Sequence, residues 1–274
     1  MEQVLSTIEA LVWQVEAGAD EAICNDAGFE QWKGRTASVP SVAPVPAAAA
    51  PPLAPLAFVS QPSKPLAAAP ALARPPAEPL AATTLEQLRD SLACFEGCGL
   101  KATAMNLVFA AGNPKAKIMI VGDVPAEDED RQGLPFVGES GHLLDKMLAS
   151  IGLDRESVYL TNLVFWRPPG NRSPSEVEVE ACLPFTERHI ALVQPKLLIV
   201  MGQLATKTLL RTKDTFSKKR GQWTSYSPCL GDPVREEIRC LPFYHPTYLL
   251  RQPAAKRQAW VDLLRLKQEI NDTI

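Results

Sequence analysis

The chain has 274 residues, of which 46% are hydrophobic, and its 28 Lys and Arg nearly balance 31 Asp and Glu. This length suffices for one domain with a full core and an additional segment, and the near-neutral charge excludes a basic surface spread over the whole chain. No apolar run approaches the length of a membrane span, the N-terminus lacks the features of a secretory signal, and the six cysteines are expected to be thiols or metal ligands. We therefore expect a cytoplasmic protein.

Two segments of different character precede the main domain. Apolar residues such as Val4, Ile8 and Leu11 recur at helical spacing and predict one amphipathic helix within residues 1–36. A single short helix cannot bury its own apolar face, so it either docks on the main domain or binds a partner protein. Residues 37–83 are dominated by Ala and Pro, which predicts a disordered linker.

Residues 84–274 are predicted to form a globular domain in which helices and strands alternate. The predicted helices lie at about 85–97, 143–151, 174–193, 202–210 and 254–270, and the predicted strands at 117–121, 158–164, 197–201 and 240–244. Ser173 to Glu176 fit a capping box with Pro174 at the first helical position. Alternation of this kind favours a three-layer α/β/α sandwich with a central, mainly parallel four-stranded sheet.

The stretch from Gly122 to Gly138 follows the first predicted strand directly. It opens with Gly122, Asp123 and Pro125, continues with four further acidic residues, and places Phe136 between a proline and a glycine. In open α/β sheets the ligand site lies outside the carboxyl ends of the strands. The stretch is thus either part of a site or an ordinary solvated acidic loop.

Two further strand ends carry polar residues. Asn162 ends the second strand, and His245 follows the fourth strand directly before a proline. A parallel sheet would place these two residues and Asp123 side by side. A single histidine is often structural, but this position after a strand favours a functional role.

Three stretches together resemble the family-4 uracil-DNA glycosylases: GDVPAEDEDRQGLPFVGESGHLLDKML, YLTNLVFWRPPGNRSP and YHPTYLLRQPAAKRQAW. They occur in the family's order, and the resemblance covers about residues 85–270. It implies the uracil-DNA glycosylase fold and an enzyme that flips uracil out of DNA and hydrolyses its N-glycosidic bond, which initiates base-excision repair.

The resemblance also implies how the base is bound. Phe136 matches the aromatic that stacks on uracil, and Gly122 and Pro125 belong to the same motif. Asn162 matches the residue that reads the uracil edge, because its amide donates to O4 and accepts from N3–H, a pattern that cytosine reverses.

The implied catalytic residues are Asp123, Asn162 and His245. His245 matches the residue that stabilises charge developing on uracil O2. Asp123 occupies the position where the family usually has Glu, whose carboxylate stabilises the oxocarbenium-like sugar or orients water. The shorter Asp and Ala126, in place of a usual Gly, are departures from the family. They motivate the alternative of a catalytically weakened DNA-damage-binding protein.

The expected partner is uracil-containing DNA, bound by a monomer through loops beyond the strand ends. A leucine is expected to fill the gap left by the flipped base. The basic run near residue 218 is either a phosphate contact or a solvated loop. The expected DNA-binding residues are Arg167, Asn171, Arg172, Leu249 or Leu250, Arg251, Lys218, Lys219 and Arg220.

The cysteine pattern departs from the family, which typically holds a 4Fe-4S cluster with four cysteines. Cys182 matches one ligand, and Cys98 matches another, but Cys94 is offset by one residue and Trp166 stands where a further Cys is usual. We therefore expect vestigial ligand positions, no cluster and no other cofactor.

Two related activities are disfavoured by the motifs. The motifs offer no well-placed Lys nucleophile, so Schiff-base strand cleavage is not expected. The covalent-adduct branch of the superfamily is marked by a His in the loop after the second strand, and residues 167–174 contain none.

Overall fold

The computed structural model describes residues 81–227 and 237–273. The predicted N-terminal helix and nearly all of the predicted linker lie outside these residues. Within them, no helix combines the length and the apolar character needed to cross a membrane. The described domain includes Ala82, which is buried and whose carbonyl accepts from the Arg188 guanidinium, Nε at 2.8 Å.

Helices and strands alternate along the described residues as predicted. The helices are α1 (Leu85–Cys94), α2 (Glu127–Gln132), α3 (Gly138–Ser150), α4 (Glu176–Val193), α5 (Gln203–Leu209), α6 (Phe216–Lys219), α7 (Pro246–Arg251) and α8 (Lys256–Thr273). The strands are β1 (Ala111–Gly112), β2 (Ile118–Gly122), β3 (Val158–Asn162), β4 (Leu197–Met201), β5 (Thr224–Tyr226) and β6 (Ile238–Phe243). Short 3₁₀ turns occur at Gly99–Ala102, Pro169–Asn171 and Pro253–Ala255.

The sheet has the strand order β1-β3-β2-β4-β6-β5. Its four inner strands are parallel and are the four predicted strands, whereas β1 and β5 pair antiparallel at the two edges. The predicted sheet is thus confirmed at its centre and is extended by two edge strands. These strands have only two and three residues, too few to show an alternating pattern in the sequence.

Both faces of the sheet are buried, which explains the unbroken apolar runs of the inner strands. In β2, Met119 and Val121 pack into a core shared with α1 and α4, while Ile118 and Ile120 pack into a second core shared with α3 and α8. This alternation follows the two-residue period of a strand. The fold is the predicted α/β/α sandwich.

Two local predictions need correction. The N-cap of α4 is Ser175, not Ser173: its hydroxyl accepts from the Glu178 N–H at 3.3 Å, and the Glu178 carboxylate accepts from the Ser175 N–H at 2.7 Å. The capping box therefore lies two residues later than predicted. The acidic stretch after β2 is also not a plain loop, because it contains α2.

Candidate functional site

The site is built where the inner strands end. Gly122, the last residue of β2, pairs in register with Asn162, the last residue of β3. A third inner strand, β6, ends at Phe243, two residues before His245. The parallel register therefore brings these strand ends to one edge of the sheet, as predicted.

Gly122 lies at the centre of this group. A Cβ atom placed on it would lie 2.3 Å from Asn162 Oδ1, 2.8 Å from Phe136 Cζ and 3.4 Å from His245 Nε2. No larger residue fits without moving these groups. The three predicted side chains Asn162, Phe136 and His245 thus converge on Gly122, and they can approach it this closely because it has no side chain.

Phe136 is held in an unusual conformation. It has a positive φ of 53° and a fully buried ring, which stacks on His245 with 5.6 Å between ring centroids and 25° between planes. Its N–H donates to the Glu129 carboxylate, and its carbonyl accepts from the Arg155 guanidinium. A positive φ is costly for an aromatic residue, and these contacts on both sides of the peptide maintain it.

Asn162 is completely buried and only partly satisfied. Its Nδ2 donates to Glu129 Oε1 across 3.5 Å, and its Oδ1 has no hydrogen-bond partner among the described residues. Buried polar atoms are nearly always paired, so an unpaired acceptor at this point is suited to a ligand donor.

Glu129 is the residue that sequence reasoning missed. The sequence shows it only as one of four further acidic residues after the first strand. In the structure it is buried on α2, and its carboxylate accepts from the Ala126 N–H at 2.6 Å and from the Phe136 N–H. Burial raises the pKa of this carboxyl, while the N–H groups of Ala126 and Phe136 and the Asn162 amide lower it. Its place three residues after the α2 N-cap was the available signal, because a Glu there reaches back to the N-cap N–H.

His245 is oriented by the start of α7. As the N-cap residue, its Nδ1 accepts from the Thr247 N–H at 3.3 Å. Burial, and secondarily the Arg251 charge, lowers the pKa of His245 to about 4. The ring is therefore neutral at physiological pH, and because Nδ1 is an acceptor, the proton lies on Nε2, which faces Gly122.

Asp123, directly after β2, has a carboxylate that is held by the backbone of α5. Its Oδ1 accepts from the Ala205 N–H at 2.7 Å in the first turn of α5. A Cβ on Gly202, which has φ +114°, would lie 2.2 Å from Asp123 Oδ2. Burial raises the pKa of the Asp123 carboxyl to about 6, and the Ala205 and Leu204 N–H groups lower it. The Asp123 carboxylate is thus anchored to the first turn of α5.

A cleft of about 860 Å³ lies beside this group of residues. Asp123, Pro125, His245, Asn171 and Arg251 line it, together with residues of α5 and α6. The predicted catalytic residues Asp123 and His245 therefore share one open cleft, whereas Asn162 and Phe136 are fully buried and do not line it.

The predicted DNA-binding arginines differ in their surroundings. Arg172 makes a bidentate ion pair with Glu178 at 2.6 and 2.8 Å, and Arg220 pairs with the buried Asp262. Arg172 is 45% exposed in its pair, whereas Arg220 is paired with a buried carboxylate, and the DNA contacts of both arginines stay predictions. Arg167 Nε donates to Asn171 Oδ1 at 2.8 Å and Arg167 Nη2 donates to Glu127 Oε2 at 3.1 Å, and Asn171 lines the cleft.

Of the basic run, Lys218 is exposed, and Lys219 lies 3.3 Å from Asp214 in a partly exposed ion pair. A partly exposed ion pair contributes little to the stability of the fold, so Lys219 can readily exchange Asp214 for a DNA phosphate. These two lysines keep their predicted role as candidates for phosphate contact, and Arg251 keeps it as an exposed residue of the cleft.

The structure separates the two candidate wedge residues. Leu249 is fully buried, whereas Leu250 is 38% exposed. We expect Leu249→Ala to destabilise the fold by about 2–5 kcal/mol in urea denaturation, because it leaves a cavity. Leu250→Ala should change stability by less than about 0.5 kcal/mol and slow excision from duplex DNA. Equal effects of the two variants on stability would contradict this assignment.

The cysteine positions implied by the family do not present a complete ligand set. Cys98 and Cys182 are buried with 4.0 Å between their sulfurs, Cys94 is exposed, and Trp166 is buried in the same core cluster. Among residues 81–227 and 237–273, no group of three or more His, Cys, Asp or Glu is placed to hold a metal ion. Four thiolates are the usual requirement of a 4Fe-4S cluster, so the described residues do not fit one.

Comparisons with known proteins agree with the motifs. Residues 109–265 match the model of the uracil DNA glycosylase superfamily. A type-4 uracil-DNA glycosylase of Sulfurisphaera tokodaii is 35% identical over 191 residues, 68% of this chain and 84% of that protein. The type-4 enzyme of Archaeoglobus fulgidus is 35% identical over 65% of this chain and 89% of its own length, and that of Thermotoga maritima is 36% identical over 56% and 77%.

Proposed function

Because the chain belongs to the type-4 uracil-DNA glycosylase family, we propose that it is a monofunctional uracil-DNA glycosylase that initiates base-excision repair. The observation that supports this most strongly is the convergence of Asn162, Phe136 and His245 on Gly122. A flat aromatic face, an amide and a neutral imidazole N–H around one small space match the ring, the edge and O2 of uracil.

Uracil recognition depends on the orientation of the Asn162 amide. Glu129 accepts from Nδ2 and so fixes which end of the amide is the donor. The unpaired Oδ1 then accepts from uracil N3–H, and the second Nδ2 hydrogen donates to O4. Cytosine presents an acceptor at N3 and a donor at N4, so it would leave buried groups unpaired, at a cost of roughly 1–3 kcal/mol each.

Bond cleavage places negative charge on the departing base and positive charge on the sugar. His245 donates from Nε2 to uracil O2 as a neutral group, so it stabilises the developing anion without a proton transfer. The Asp123 carboxylate lies in the same cleft and supplies the opposite charge for the oxocarbenium-like sugar and for the attacking water. Leu250 is the residue that would fill the gap left by the flipped base.

The pH dependence of excision reports on Asp123. Its pKa of about 6 means that the carboxylate is charged above that pH and protonated below it. We expect single-turnover rates to rise as the pH increases through about 6 and to level off above it. His245 is already neutral in this range, so it adds no second limb to the pH–rate profile.

Asp123→Asn should lower the plateau and remove this limb, and Asp90→Asn at an exposed position of α1 serves as the matched control. An unchanged limb in Asp123→Asn would assign the titration to another group.

A substrate panel tests the proposed function. Oligonucleotides with one uracil, cytosine or thymine are incubated with the protein, and free base and abasic sites are measured separately. We expect release of uracil alone and an intact strand until alkali is added, because the strand-end motifs supply no Schiff-base lysine. Strand cleavage without alkali would point to Lys207 or Lys213, which line the cleft.

A second candidate function is damage recognition with weakened catalysis. It is favoured by one observation, the anchoring of the Asp123 carboxylate to the start of α5. This protein would bind uracil-containing DNA tightly and release uracil slowly, so binding and single-turnover excision measured on one oligonucleotide distinguish the two functions.

We also propose that the protein works without an iron–sulfur cluster, since Cys98 and Cys182 have no further pair of ligands beside them among residues 81–227 and 237–273. Protein purified without oxygen should be colourless, carry no stoichiometric iron and stay active after chelation. Brown protein with about four irons per chain would contradict this and would point to Cys94 and to a cysteine outside the described residues.

The remaining assignments complete the proposal. The protein acts as a cytoplasmic monomer on uracil-containing DNA. Residues 1–36 form a separate segment that binds a protein partner or the catalytic domain, tethered by the linker at residues 37–83.

A further inference from the structure

The cleft lined by Asp123 and His245 is much larger than one base. Its volume of about 860 Å³ lies in the range of pockets that enclose drug-sized ligands. In the proposed function, the flipped uracil occupies only the part of the cleft at Asp123 and His245. The rest of the cleft, between α5, α6 and α7, is therefore free to bind another part of the substrate.

One wall of this cleft is a row of three aromatic rings. Phe216 and Tyr244 have ring centroids 5.5 Å apart, and Tyr244 and Tyr248 are stacked at 4.9 Å with 16° between planes. Tyr248, on α7, is 39% exposed. If this row of rings belonged only to the core, its outermost ring would be buried. Instead, a large part of the Tyr248 side chain is exposed in the cleft.

The row is held rigidly from behind. The Arg220 guanidinium lies 5.0 Å from the centre of the Tyr244 ring and is fixed by Asp262, whose side chain is 1% exposed. The Tyr244 hydroxyl donates to Gln258 Oε1 at 3.0 Å. Because the inner ring is fixed, Tyr248 offers a stacking surface that needs little further ordering on binding.

Charges in the same cleft match a phosphate backbone. Lys207, Lys213 and Arg251 line it and are exposed. The carboxylates in the lining are Asp123, which belongs to the catalytic group, and Asp214, which is paired with Lys219 at 3.3 Å. Apart from Asp123 and the paired Asp214, the charged side chains named here are cations, so the net charge of this wall is positive.

Resting on the proposed function, we infer that the cleft binds single-stranded DNA flanking the flipped uridine, with a neighbouring base stacked on Tyr248. A cationic groove with exposed aromatic rings is the usual form of a single-strand site. In a duplex the neighbouring base is paired and must be unpaired before it can stack there. The protein should therefore bind and process single-stranded uracil DNA better than duplex.

Tyr248→Ala and Tyr248→Phe test this inference in the full chain, with Val261→Ala as an exposed control outside the cleft. Binding is measured by fluorescence anisotropy on single-stranded and duplex oligonucleotides, each with thymine or with uracil. We expect Tyr248→Ala to weaken single-strand binding roughly 10-fold, Tyr248→Phe to retain it, and duplex binding to change little. Single-turnover excision should show the same ordering.

Two outcomes would overturn the inference. One is equal loss on single-stranded and duplex DNA, and the other is no loss on either. If uracil is still released in these cases, the proposed glycosylase function stands without the single-strand site. If uracil is released from no substrate, the thymine oligonucleotides still measure stacking on Tyr248, so the two failures are distinguishable.

Discussion

Replacing Asn162 with Asp is expected to reduce uracil excision at least about 100-fold. The new carboxylate cannot donate to uracil O4, and a site built to hydrogen-bond its substrate loses this much or more when a buried group is left unpaired. The substitution also places a second carboxyl beside Glu129, whose Oε1 lies 3.5 Å from Asn162 Nδ2. One of the two carboxyls would then be protonated, which further disturbs the donor pattern.

The control for Asn162→Asp is the same exchange at an exposed asparagine. Asn113 Oδ1 accepts from the Lys115 N–H at 2.9 Å at the opposite end of β2, and an Asp there keeps the acceptor. Asn113→Asp should leave excision unchanged, and thermal unfolding of both variants excludes a loss of fold. Normal excision by folded Asn162→Asp protein would remove Asn162 from base recognition.

The second large effect is expected at His245. Loss of one preorganised donor to a developing oxyanion typically costs about 10²–10³-fold in rate, so His245→Ala should lower the single-turnover rate by this factor. Because the donation occurs chiefly to the charged leaving base, binding of uracil DNA should weaken far less than the rate falls.

His245→Ala also removes the N-cap of α7, so a second variant is needed. In His245→Asn the side-chain carbonyl accepts from the Thr247 N–H, as His245 Nδ1 does, but no donor reaches the space at Gly122. Both variants should be equally slow, and Asn should be the more stable in denaturation. Recovery of the rate by Asn would show that His245 acts through the helix cap.

The strands and the convergence of Asn162 and His245 were predictable because they depend on local patterns and on one rule of topology. Unbroken apolar runs such as 118–121 fix buried parallel strands, and parallel strands end at a common edge. Gly122 could be placed at that edge, but the need for glycine there depends on three side chains from other elements.

The contacts of the site that could not be predicted depend on partners that are distant in the sequence. Glu129 appeared as one charge among four, and only the folded α2 points it at Phe136 and Asn162. The sequence places Asp123 at a strand end, but it does not show that the Ala205 N–H, 82 positions along the chain, donates to its carboxylate.

The same limit applies to the surface residues. A sequence shows that Arg172 and Arg220 are basic, but it does not show that Glu178 and Asp262 already neutralise them. It also does not distinguish Leu249 from Leu250, because the short helix α7 buries one of two adjacent identical residues.

The most direct test of the account is single-turnover excision by the wild-type protein in excess over an oligonucleotide with one uracil. Free uracil and bound DNA are quantified in the same samples. The account predicts stoichiometric release of uracil, with an abasic strand as the other product. Tight, uracil-dependent binding with no release of base would contradict it and would establish the damage-binding function in its place.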